Sequence, residues 1–281
     1  MFISASDILL SMQWSTTIGV ELEFLLPAKS FSRNILKDIW DIEKGWELQP
    51  EGLSTDLAWS GQELKSPIYD GDTLAKIEDI TEYVRASGGI VNECCGLHIH
   101  AGLKPFPWQS WTDIQKQSFA NYALIEPAML YPYLRLHHPK LQRQSIVRAF
   151  DIGSMREARQ MAQNILDGNA MFLKSLSRKT MTLYPQRDYK PYQTIEWKGP
   201  AGTLCPLQIA ACMKFWDTLT GKSAAMALSS QGPHLPSFDE FKELCAIAQD
   251  YNSTMQLSES FDIDDRVRLL TWNADTLENY Y

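Results

Sequence analysis

IGVELEFLL, residues 18–26, reads as a strand with two different faces, ended by Pro27. Side chains along a strand alternate sides, so residues at i and i+2 point the same way, about 7 Å apart. Glu21 and Glu23 therefore share one face, with Leu22 on the other. Carboxylates are costly to bury without a cation or hydrogen-bond donors beside them. An edge strand with both acids in water is the ordinary alternative.

Two further stretches repeat the device. His98-Ile99-His100 sits inside CGLHIHAG (95–102), and Glu196-Trp197-Lys198 inside TIEWKGPAGTL (194–204). In each, two metal- or phosphate-competent side chains flank one apolar residue. HxH alone is a weak signal, carried by zinc hydrolases, cupins and many proteins without a site. Glu-x-Lys alone is equally a surface ion pair. Three such pairs in one chain point to a sheet whose polar face handles divalent metal and phosphate. Glu63, in GQELKSP (61–67), is strand-like and says little by itself.

Composition narrows the classes. The 281 residues are 44% hydrophobic and 21% charged, ordinary for a globular protein. A formal charge of −8 argues against a general nucleic-acid binder but leaves room for a local basic pocket. Nine Trp and eleven Tyr fit core and rim packing. The five cysteines are odd in number and form no CxxC, which disfavours a zinc knot or a disulfide framework and fits a reducing compartment. No apolar run reaches the roughly 20 residues that span a bilayer. A cytoplasmic protein with no membrane partner is expected.

The rest of the chain interleaves strands and helices, then becomes helical. A helix is expected over 31–43, and short strands around Trp46–Leu48 and Glu63–Ser66, with a turn at Glu51-Gly52. Leu74, Ile77, Ile80 and Val84 recur at helical spacing within Asp72–Ala86, which Gly88-Gly89 ends. Ile90–Ala101 reads as the next strand and Thr112–Leu130 as a long helix. Tyr131–Leu141 is an irregular loop holding His137 and His138. Residues 154–177 are helical; Thr180–Leu183 and Thr194–Lys198 are strands. Leu204–Leu228 is a helix with a proline near its start, followed by a linker at 231–236 and helices near 237–250 and 263–279. His234 reads as a loop histidine. One α+β domain over 1–281 is expected, with a motif-bearing core at 18–204 and a helical part at 205–281.

Together, GVELEF, ELKSPI, CGLHIHAG and TIEWKGPAGTL resemble, in that order, the motifs of the amidoligases, in the carboxylate–amine ligase superfamily with the glutamine synthetase fold. The resemblance implies a curved antiparallel sheet, bent into a half-funnel that holds ATP and Mg²⁺ or Mn²⁺. It implies γ-phosphoryl transfer to a carboxylate, then attack by an amine on the acyl phosphate. Glu21, Glu23, Glu63, His98 and Glu196 match the metal ligands, and Glu63 counts also as catalytic. His100 matches the imidazole facing phosphate. Lys198 stands where the family has Arg, keeping the charge but losing the bidentate fork. Arg178 or Lys179 match a phosphate-binding base. The partners implied are a small-molecule or peptide carboxylate and an amine.

Elementary chemistry agrees with that set. Four carboxylates and one ligating imidazole suit Mg²⁺ or Mn²⁺ on polyphosphate better than zinc. The chain has no P-loop signature. Two rivals stay open at this point: a metal-dependent hydrolase built on His98 and His100, and a non-catalytic binding module of the same fold. The sharpest expectation is spatial. Glu21, Glu23, Glu63, His98 and Glu196 should converge within roughly 8 Å of one centre, since paired metals share ligands.

Overall fold

A computed structural model describes residues 8, 11–28, 46–51, 58–68, 77–92, 95–125, 155–168, 181–182, 194–198, 200, 202–230 and 232–257. Six strands form one antiparallel sheet: β1 (Thr17–Pro27), β2 (Glu47–Pro50), β3 (Trp59–Lys65), β4 (Leu97–Gly102), β5 (Met181–Thr182) and β6 (Thr194–Trp197). Their order is β2-β3-β1-β4-β6-β5. Five strands have four residues or more, and β5 adds a two-residue edge. The long β1 lies inside the sheet, with β3 on one side and β4 on the other.

Five α-helices are described: α1 (Ile77–Ala86), α2 (Trp111–Ile125), α3 (Met155–Leu166), α4 (Pro206–Ser229) and α5 (Phe238–Leu257). The apolar face of the sheet carries Ile18, Val20, Leu22, Phe24 and Leu26 from β1, Leu97, Ile99 and Ala101 from β4, and Ile195 and Trp197 from β6, all buried. α4 packs on β1 and β4, and α2 packs on α3 and α4. An aromatic column joins the layers. Trp197 stacks on Trp216 of α4, with ring centroids 4.2 Å apart and planes 12° from parallel. Phe119 and Tyr122 of α2 meet the Trp197 ring at 5.6 and 5.3 Å. The aromatic residues described in this core are packing, as their number suggested.

Local chemistry explains several boundaries. α1 closes in a Schellman turn: Gly88 N donates to Arg85 O and Gly89 N to Val84 O, with Gly88 at φ +82°. α5 opens with a capping box, in which Glu240 N donates to Ser237 Oγ and Ser237 N to the Glu240 carboxylate. Asp217, buried on α4, accepts from Ser15 N, Thr16 N and Thr16 Oγ1 at 2.6–3.0 Å. Burial pushes its carboxyl up from the usual range, and these donors oppose that shift. They fix the entry of β1 onto α4.

The structure corrects the expected strand at Ile90–Ala101. Ile90 makes only an isolated bridge to Leu25, and the strand begins at Leu97. Between them Cys95 N bonds Asn92 O, a turn that interrupts the ladder. The strand expected to include Lys198 stops at Trp197. The helices expected at 31–43 and 263–279 and the loop with His137 and His138 lie outside the described residues. Cys95, Cys205, Cys212 and Cys245 are unbridged thiols, and burial pushes Cys212 and Cys245 up to about 12. Among the described residues no helix is long and apolar enough to cross a membrane.

Candidate active site

Register turns separate strands into polar rows. Glu21 faces Lys65 on β3 and His98 on β4. Glu23 faces Glu63. His100 faces Glu196 on β6 and Gly19 on β1. Directly opposed residues share a face, so all these groups lie on the side of the sheet away from the helices that cover Val20, Leu22 and Ile99.

The side chains interlock around Glu21. Its Oε2 lies 3.0 Å from His98 Nδ1, and its Oε1 lies 3.3 Å from His100 Nε2 and 3.2 Å from Lys65 Nζ. His98 Nε2 lies 3.5 Å from Glu23 Oε1, and Glu23 Oε2 accepts from Gly96 N at 2.6 Å. Gly96 also returns its carbonyl to Glu23 N, so one glycine aims this carboxylate through both of its backbone groups. On the far side, Glu196 Oε1 lies 2.9 Å from Lys198 Nζ and 3.6 Å from His98 Nδ1.

Burial makes these charges consequential. Glu23, Glu63, His98 and Glu196 are buried, Glu196 to 2% exposure. Burial alone would raise the Glu21 carboxyl, but contacts with His100 and His98 hold it well below the usual carboxylate range. Burial raises the Glu63 carboxyl, helped by the negative charge of Glu21 and opposed by Lys65. Desolvation disfavours the Lys65 ammonium, yet its bond to Glu63 and the charges of Glu21 and Glu63 outweigh it and push its pKa up.

The residues fit divalent metal. Two donor sets, Glu21–Glu63–His98 and Glu21–His100–Glu196, each keep one ligand atom per residue within 4.8 Å of the others. Octahedral Mg²⁺, with bonds near 2.1 Å, spreads opposite ligands about 4.2 Å apart. Glu196 Oε2 is buried and, among the described residues, takes no hydrogen bond. Among the described residues, four carboxylates stand against two ammonium groups, Lys65 and Lys198, an excess of negative charge that a cation would neutralise.

Sequence reading brought Glu21, Glu23, Glu63, His98, His100, Glu196 and Lys198 to this face, and the structure places them together. Lys198 reaches Glu196 from just beyond the end of β6. Arg178 and Lys179 lie outside the described residues. Two participants were missed, Lys65 and Gly96. Lys65 had a signal, since it stands at i+2 from Glu63 in a strand. His234 is engaged with Ser230 Oγ at 2.7 Å and with Glu240, in the linker between α4 and α5.

The loop after Lys198 seals against the start of β4. Leu97 N donates to Pro200 O and Gly202 N to Cys95 O. A Cβ on Gly202 would stand 2.6 Å from Cys95 Cβ and 2.9 Å from its carbonyl carbon. Gly202→Ala is therefore expected to cost about 1–3 kcal/mol of stability and to displace Gly96 from Glu23, measured by urea unfolding and by metal affinity.

A family model described as "Putative amidoligase enzyme" matches residues 40–205, more than half of the chain. The matched range includes β3, β4 and β6, and β1 precedes it. No curated protein matches the chain.

Proposed function

This chain belongs to the amidoligase family, and on that premise we propose that it joins a carboxylate to an amine at the expense of ATP and Mg²⁺ or Mn²⁺. In this reading the polar face is the inside of a half-funnel of glutamine synthetase type. One observation carries the reading. Carboxylates from β1, β3 and β6 surround two imidazoles from β4, and a buried oxygen of Glu196 has no donor among the described residues.

Glu21, Glu23, Glu63, His98 and Glu196 would hold the metal, which supplies charge neutralisation for the polyphosphate and aligns the transferring group. The substrate carboxylate attacks the γ-phosphorus, ADP leaves, and the amine then displaces phosphate from the acyl phosphate. Lys198 is the cation at the open end of its strand, bonded to one carboxylate, and can turn to phosphoryl oxygens as a point charge. His100, more exposed than His98, is the imidazole that would donate to phosphate. Glu23 is kept aimed by Gly96. The partners are a small-molecule or peptide carboxylate and an amine.

The test is a screen of carboxylate and amine pairs against the purified protein with ATP and Mg²⁺ or Mn²⁺. ADP release that needs both substrates and the metal is the expected result. Metal binding without turnover for any pair would favour a binding module, and substrate cleavage without ATP would favour a hydrolase.

A further inference from the structure

Glu63-x-Lys65 on β3 and Glu196-x-Lys198 at the end of β6 repeat one spacing on opposite sides of the β1–β4 pair. Each lysine sits 2.9 Å from the carboxylate of its own pair. Beyond that they differ. Lys65 Nζ also lies 3.2 Å from Glu21 Oε1, so it ties β3 to β1. Among the described residues Lys198 pairs with Glu196 only.

The carboxylates that Lys65 joins are two of the three donors in the Glu21–Glu63–His98 set, whose ligand atoms lie within 4.8 Å of one another. An ammonium thus stands between oxygens spaced as a metal site spaces them. We propose that Lys65 is a built-in cation that takes the place of a metal ion between Glu21 and Glu63. This revises the ligand set proposed above: Glu63 and His98 give up direct metal contact, His100 turns from phosphate to the metal, and the divalent ion is left to Glu21, His100 and Glu196, where among the described residues Glu196 Oε2 is buried without a hydrogen bond. A second ion beside Lys65 would meet a fixed positive charge at close range, within a part-buried cluster where repulsion is weakly screened. The lysine cannot leave with product or exchange with solvent ions, so the Glu21–Glu63 link is permanent. The inference rests on the amidoligase reading only for the choice of metal.

The test counts Mn²⁺ on the full chain, with no nucleotide or substrate, by electron paramagnetic resonance of free ion during titration. Lys65→Met is expected to bind one more Mn²⁺ per chain than the parent, and Lys65→Arg to keep the parent count. Adding Glu63→Gln to Lys65→Met should abolish the extra ion. Thermal melting provides a second readout, because an ion that binds only the folded state raises its melting temperature. Mn²⁺ should raise the melting temperature of Lys65→Met, or of Lys65→Gln if the first variant folds poorly, by more than it raises that of the parent. An unchanged count, or destabilisation that Mn²⁺ does not relieve, overturns the inference. A parent that binds no Mn²⁺ beside a Lys65→Met variant that binds one leaves Lys65 in its role and removes the metal from the amidoligase reading. A parent that binds Mn²⁺ beside an unchanged variant does the reverse.

Discussion

Lys198→Ala is expected to cut ATP-dependent amide formation by two orders of magnitude or more. Removing a cation that meets charge developing in the transition state commonly costs that much. Lys198 suits the task because it is only part-buried and, among the described residues, is paired with Glu196 alone. Lys198→Arg restores both charge and reach and should keep most of the rate. Mn²⁺ should still bind both variants, because the carboxylates are untouched, and Lys198→Ala should bind it no more weakly than the parent, since a neighbouring positive charge is removed. The measurement is ADP release with the active substrate pair, beside a metal titration. A Lys198→Ala enzyme as fast as the parent would remove the phosphoryl role.

The second large effect is on stability. Trp197→Ala should lower unfolding free energy by about 3–5 kcal/mol, the range for deleting a buried aromatic. For a chain of this size that is a fall in melting temperature on the order of 10 °C. Trp197 is fully buried, stacks on Trp216 and touches Phe119 and Tyr122. Its neighbours Glu196 and Lys198 work on the other side of the sheet, so loosening the column loosens the site. Trp197→Phe should recover part of both. Chemical denaturation followed by tryptophan fluorescence decides it; a Trp197→Ala variant as stable as the parent would show that the stack carries no weight.

Much of this was legible because strand alternation is a local rule. It puts Glu21 with Glu23, His98 with His100, and Glu196 with Lys198, without knowledge of the sheet. The same rule applied to Glu63 reaches Lys65. A lone lysine in a polar stretch reads first as a solvated side chain, and only the register with Glu21 shows otherwise. Register itself was not legible. It depends on which apolar residues meet α2 and α4 across the core. Gly96 escaped notice because its part is played by backbone atoms. The strand expected from Ile90 failed because Ile90 and Val91 supply β-prone side chains while the Asn92–Cys95 turn breaks the ladder. Asp217 sits within a helix whose extent was read nearly correctly, yet its partners Ser15 and Thr16 lie about 200 residues away.

The interior position of β1 has a consequence for how the chain is made. Its contacts close over long stretches of sequence: Glu21 meets His98 across 77 residues, and β6 arrives later still. Pairings so distant along the chain fold slowly, because loop closure must precede any contact that rewards it. A ribosome adding roughly 5–20 residues per second needs on the order of ten seconds or more between releasing β1 and releasing β6. Through that interval Val20, Leu22, Phe24 and Leu26 wait without α4, which follows β6 and packs on β1. The nascent strand is a natural client for a chaperone, and slowing translation should lower the soluble yield.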